Sequence, residues 1–174
     1  MTPEQATFLL NDIYLPQIRT EQATTRRVLQ AVPADQDAWK PDPKSMSALE
    51  LAWHIASVEP FFMNGIAKGK FESDGGSMPE SIKTTADVVQ WYDDNIATAV
   101  ERLAQVKGED LTRSIDFFGM FNLPGIEYAR LMCNHSIHHR GQLSSYLRPM
   151  GAKVPQIYGP SGDEPMERSA EATA

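Results

Sequence analysis

Apolar residues recur along this chain at spacings of three and four, the period of a helix with one buried face. The clearest run is Val88, Val89, Tyr92, Ile96, Val100 and Leu103. It predicts a helix capped at Thr84-Thr85-Ala86-Asp87, reaching about Val106 and stopped by Lys107-Gly108. A second run, Leu51, Ile55, Val58, Phe61 and Phe62, follows a capping box in which Ser47 stands three residues before Glu50. Pro60 lacks a backbone donor, so it is expected to bend or end that helix, with a mobile surface loop from Gly65 to Pro79. Thr2, Pro3 and Gln5 form a helix start. The imperfect stripe Phe8, Leu9, Ile13, Leu15, Ile18, Val28 and Leu29 carries this first helix to about Ala31, kinked or interrupted at Pro16. The last helix is expected to begin within Asn122–Glu127 and to run to about Arg148, ahead of Pro149 and Gly151.

The stretches between these runs read as connections. Val32 to Ser45 holds Pro33, Pro41 and Pro43, with Trp39 as the residue that tucks the loop onto the core. Residues 111–122 alternate weakly and are rich in phenylalanine, which suits a short extended segment or hairpin. The expected fold is therefore all-α: a four-helix bundle with long crossover loops, occupying residues 1–163, followed by a flexible tail over 164–174.

Composition narrows the class without changing that picture. A chain of 174 residues, 41% hydrophobic and 22% charged, suits one globular domain. A net charge of −7 offers no electrostatic footprint for nucleic acid, and the cluster Arg19, Arg26 and Arg27 reads as a solvated helix face. No stretch has the roughly 18 apolar residues of a membrane span, and the N-terminus lacks the pattern of a signal peptide. The single cysteine, Cys133, excludes an intramolecular disulfide; a cytoplasmic location is the simplest expectation.

Chemistry concentrates in the last helix, where His135, His138 and His139 fall within five residues. At about 100° per residue, His135, His139 and Gln142 share a stripe with Tyr128, Leu131 and Tyr146, which is taken as the inward face. His138 lies off that stripe, toward the bundle edge. His54 sits on or beside the apolar face of the second helix and is the natural third donor. Three neutral imidazoles would hold a divalent metal with positions left open to water or substrate. The other reading is a set of core histidines satisfied by side chains, and spacing alone does not choose. Cys133 points about 200° from His135, which argues against a closed Cys/His site, and Ser136 stands where a zincin carries its glutamate. Gln142 either touches the site or is satisfied by backbone. Glu59 and Asp163 either orient ligand imidazoles or are solvated carboxylates.

Three segments decide the matter by likeness. Leu51 to Glu59, His135 to Leu143 and Val154 to Ser161 together resemble the DinB-like family of metal-binding four-helix proteins over nearly the whole chain. The resemblance implies an up-down-down-up bundle, frequently a homodimer, with His54, His135 and His139 holding a divalent ion, zinc or nickel. Relatives include bacillithiol and mycothiol S-transferases and a mycothiol-dependent maleylpyruvate isomerase. The implied activity is a metal-dependent transferase that activates a low-molecular-weight thiol toward an electrophile. The alternatives are a hydrolase that activates water at the same ion, or a non-catalytic metal-binding stress-response module. The small-molecule thiol and electrophile are not specified by any residue pattern. Phe117, Phe118, Met120 and Phe121 are expected to form either an interface patch or a cap on the core.

Overall fold

Local capping signals start each of the first three long helices of the computed structural model, which describes residues 1–73 and 77–165. Thr2 with Gln5, Ser47 with Glu50 and Thr84 with Asp87 each form a complete capping box, satisfying amides that the first helical turn leaves without partners. The elements are α1 (Pro3–Phe8), a π-helical turn (Leu9–Tyr14), α2 (Leu15–Gln30), α3 (Ala48–Lys68), α4 (Thr85–Ala104), α5 (Gly108–Thr112), β1 (Ser114–Phe117), β2 (Phe121–Pro124) and α6 (Gly125–Leu147).

Both helix prolines are accommodated, each differently. Ahead of Pro16 the helix widens, and the Leu15 amide reaches back five residues to the Leu10 carbonyl, so the interruption is a π turn inside an otherwise continuous helix. Pro60 does not end α3, which continues eight residues to Lys68 and closes at Gly69 with φ +68°. The loop expected from Gly65 therefore begins later. Gly65 is a buried helical residue, and a Cβ there would meet the Phe71 ring at 2.3 Å, so its missing side chain lets Phe71 pack onto the helix. Asp74 to Gly76 of that expected loop lie outside the described residues.

β1 and β2 form an antiparallel hairpin, Ser114 opposite Pro124 and Phe117 opposite Phe121, with Phe118 and Gly119 both at positive φ in the turn. Asn122, Leu123 and Pro124 thus belong to a strand, and the last helix starts only at Gly125. The short α5 was not anticipated, because Gly108 reads as a stop in sequence. The phenylalanines of the hairpin divide: Phe117 stacks on Phe62 and Phe121, whereas Phe118 and Met120 are 44% and 66% exposed.

Bundle topology follows from which helix ends meet. The Asp37 carbonyl accepts from the Leu49 amide at the start of α3, and its carboxylate accepts from the Thr85 amide at the start of α4, so α3 and α4 run parallel. Gly108, just past α4, approaches Pro3 at the beginning of α1, and Gly125 at the start of α6 lies beside Ile66 near the end of α3. The first helix and α6 therefore run opposite to α3 and α4, which is the up-down-down-up order. α3 and α2 each pack against both α4 and α6. Trp39 meets Tyr146 edge to face at 5.2 Å, fastening the long crossover loop to the end of α6. Among the described residues no helix is long and apolar enough to cross a membrane.

Of the expected inward stripe of α6, Tyr128 and Tyr146 are buried, while Leu131, His135, His139 and Gln142 are half-buried at its margin. The buried face is wider on the other side, taking in Ala129, Cys133, Ser136 and the 1% exposed Arg140, a residue type that is usually at the surface. Of the tail expected from Glu164, residues 166–174 lie outside the described residues; Glu164 itself accepts from the Gln156 amide.

Candidate metal centre

α3 and α6 run antiparallel along one seam of the bundle, and their histidines meet there at the edge of the core. His54 Nε2 lies 3.0 Å from His135 Nε2. The His139 ring lies 4.5 Å from that of His54 and 4.3 Å from that of His135, centroid to centroid. One nitrogen from each of the three falls within 4.8 Å of the others. A metal with bonds of about 2.0–2.1 Å needs donors ~3–3.4 Å apart, so closing on an ion asks only small side-chain rotations.

Electrostatics favour neutral rings, the form that ligates. Burial lowers the pKa of His54, and lowers that of His135 to about 4 with help from the charges of His139 and His54. His139 is also lowered, by burial first, against the opposing hydrogen bond to Gln142. That bond places Gln142 Oε1 2.9 Å from His139 Nδ1, while Gln142 Nε2 donates to Tyr146 Oη at 3.2 Å. A carbonyl oxygen accepts only from Nδ1–H, so Gln142 holds the tautomer that leaves Nε2 free to face the other two histidines. His135 Nδ1, by contrast, is buried without a hydrogen-bond partner. The donor set is nitrogen only, with no carboxylate or thiolate in the cluster, which suits zinc, nickel or copper better than calcium or magnesium.

Each sequence candidate has a definite place. His54, His135 and His139 come together. His138 is exposed and touches the cluster only through the edge of the His139 ring, at 4.7 Å. Gln142 contacts the site. Glu59 and Asp163 do not: Glu59 accepts from Tyr92 Oη at 2.6 Å deep in the core, and Asp163 takes Arg148 and the Val154 amide. Cys133 is buried on the far side of α6, and burial pushes its thiol up to about 12.

Two features escaped sequence reading. One is the polar network behind the histidines, where Arg140 pairs with Glu21, donates to Thr25 Oγ1 at 3.2 Å and reaches Tyr158 Oη in the C-terminal loop. Its partners are 115 and 18 residues away, so no local pattern announces it. The other is a cavity of 770 Å³ between α3 and α4 that opens onto His54 and is lined by Trp53, Val58, Phe61 and Trp91. Its volume falls in the range of small-molecule sites.

Known proteins similar to this chain can now be set beside it. The chain is 30% identical over 129 residues to the uncharacterized protein YjoA of Bacillus subtilis, covering 73% of this chain and 82% of that protein. To the uncharacterized protein YrdA of the same bacterium it is 24% identical over 154 residues, 88% of this chain and 90% of the relative. Among solved structures, the DinB-like protein YjoA superposes with a TM-score of 0.70 at 27% identity, covering 83% of this chain and 96% of that one. A DinB-like protein from Bacillus cereus matches equally well, with a TM-score of 0.70 at 26% identity over 83% of this chain and 95% of its own. The model of the DinB family matches residues 7–170, and this chain belongs to that family.

Proposed function

We propose that this protein is a metal-dependent transferase that activates a low-molecular-weight thiol for attack on an electrophilic small molecule. The observation that carries this reading is the convergence of His54, His135 and His139 beside a 770 Å³ cavity that reaches His54. A divalent ion there, zinc or nickel, would lower the pKa of a coordinated thiol and leave positions open for it. Gln142 keeps His139 in the ligating tautomer, and the half-buried setting of the three rings limits competing water. Trp53, Val58, Phe61 and Trp91 supply apolar surface on which the electrophile can be held. In the reaction the thiol gives its proton to solvent, its sulfur forms a bond to the electrophilic carbon as the bond from that carbon to the leaving group breaks, and the leaving group departs with its electron pair. Cys133 is not the nucleophile, since it is buried on the opposite side of α6 with its pKa raised.

A homodimer in a reducing, cytoplasmic compartment belongs to the same reading, and light scattering on the purified chain measures the stoichiometry. For the activity, zinc-loaded protein is incubated with monochlorobimane and a panel of small thiols. Conjugate should form faster than in the protein-free control, only with both metal and thiol, and should fall to that control in His139→Ala. Turnover that needs metal but no thiol would replace the transferase with a hydrolase.

A further inference from the structure

The cavity beside His54 has a direction. From α3, His54, Ser57, Val58, Phe61 and Asn64 line it in steps of three and one, a single helical stripe. From the parallel helix α4, Trp91, Asn95, Thr98 and Arg102 line the facing wall. The lining runs along α3 from Glu50 to Asn64, with Met46 just ahead of the helix, so the cavity is a channel onto whose middle His54 opens, and the ten residues from His54 to Asn64 span about 15 Å at 1.5 Å per residue. At the Asn64 end the exposed Arg102 donates from Nη1 to Asn64 Oδ1 at 3.0 Å.

Charge is graded along it. Of the acidic groups in the wall, Glu50 accepts from the Ser47 amide and pairs with Lys40, and Glu72 pairs with Lys68 and Lys70. Asp94 accepts from Gln90 and lies two turns of α4 nearer His54 than Arg102, which disfavours an anion in mid-channel. Arg102 has only the neutral Asn64 as a partner among the described residues. Past Arg102 the surface continues into a depression whose wall includes Lys68 and Lys107 and the carboxylate of Asp110, which pairs with Arg113. Between the two ends, Val58, Phe61 and the 44% exposed Phe118, which stacks on Phe61 at 6.4 Å, present apolar surface.

We propose that this channel takes an elongated ligand that meets the histidine centre at one end, lays an apolar body along Phe61 and Phe118, and presents a terminal carboxylate to Arg102. A guanidinium whose partner is a neutral amide is matched to a carboxylate, with which it forms paired charge-assisted hydrogen bonds. The near end of this assignment rests on the metal–thiol reading above; the Arg102 end does not.

The test uses the full chain loaded with cobalt(II), whose thiolate charge-transfer band reports sulfur binding. The probes are 11-mercaptoundecanoate, about 15 Å long, and 11-mercaptoundecanol, which lacks the charge. The acid should bind about tenfold more tightly than the alcohol, as one charge-assisted bond warrants. That advantage should vanish in Arg102→Gln and partly return in Arg102→Lys. Equal affinities in the unaltered protein, or an advantage that survives Arg102→Gln, would overturn the assignment. If neither thiol gives a charge-transfer band, the metal–thiol reading fails on its own. The Arg102 end is then decided by calorimetry with undecanoate against undecanol on the same two proteins, by the same criterion.

Discussion

His54 and Glu59 stand five residues apart on α3, and His139 and Arg140 are neighbours on α6, yet the two polar clusters they build differ in kind. Around Arg140 the charges are answered from within: Glu21 from α2, Thr25, Tyr158 from the C-terminal loop, and Glu59 held by Tyr92 from α4. Around His54 three imidazoles converge with no carboxylate among them, His54 Nε2 and His135 Nε2 3.0 Å apart, at the edge of a cavity. Burying polar groups is costly in both places. The first cluster offsets most of that cost with its own partners, Arg140 Nε being buried without one, and therefore reads as structure; the second offers three nitrogens that could hold an ion.

The comparison breaks most visibly at Arg140. Arg140→Ala removes the ion-pair partner of Glu21, and the positive charge near a Glu59 that keeps its bond from Tyr92, and should destabilise the fold by about 3–5 kcal/mol, the range for breaking a buried ion pair. Urea denaturation measures it, and a loss near zero would show the network to be incidental. His135→Ala should do the reverse, abolishing stoichiometric metal binding while changing the stability of the metal-free protein far less than Arg140→Ala. His138→Ala should leave metal content intact. Elemental analysis of the three purified variants decides between the clusters.

Their pH dependences should have opposite signs. The histidines have folded pKa values below the ordinary one near 6.5, His135 down to about 4, so in that window the unfolded chain binds more protons than the folded one. Their contribution to metal-free stability is complete above about 6.5 and is lost as pH falls toward 4. Burial raises the Glu59 carboxyl above its ordinary 4.5, against the hydrogen bond from Tyr92 and the charge of Arg140. Its proton-linked contribution is present below 4.5 and declines as pH rises through the folded value. In metal-free protein His135→Ala should flatten the rise of stability between pH 4 and 6.5, and Glu59→Gln should steepen it. Denaturation midpoints across that range give both slopes.

How much of this was readable in sequence depends on range. The capping boxes at Ser47 and Thr84 are local, and α3 and α4 begin where they indicate. By its missing donor Pro60 is expected to bend or end its helix, and it does not end it, because α3 is buried on both sides of the proline and packing carries the helix on to Lys68. Helical phase put His135 and His139 on one stripe and offered His54 as a donor, and the family resemblance joined the three into one set. The inward stripe was legible at Tyr128 and Tyr146, which are buried, but not at Arg140, which looks like a solvent residue and whose partners lie on α2 and beyond the end of α6. The channel to Arg102 was invisible for the same reason: it belongs to no motif and exists only once α3 and α4 lie side by side.

The contrast between a closed polar network and an open one comes down to what surrounds an ion at His54, His135 and His139. X-ray absorption on the zinc-loaded protein measures that directly. Three imidazole nitrogens at about 2.0–2.1 Å, with one or more further oxygen or nitrogen atoms that exchange for sulfur when a thiol is added, are the expected result. A shell of four protein ligands, or a sulfur from Cys133 before any thiol is present, would contradict it.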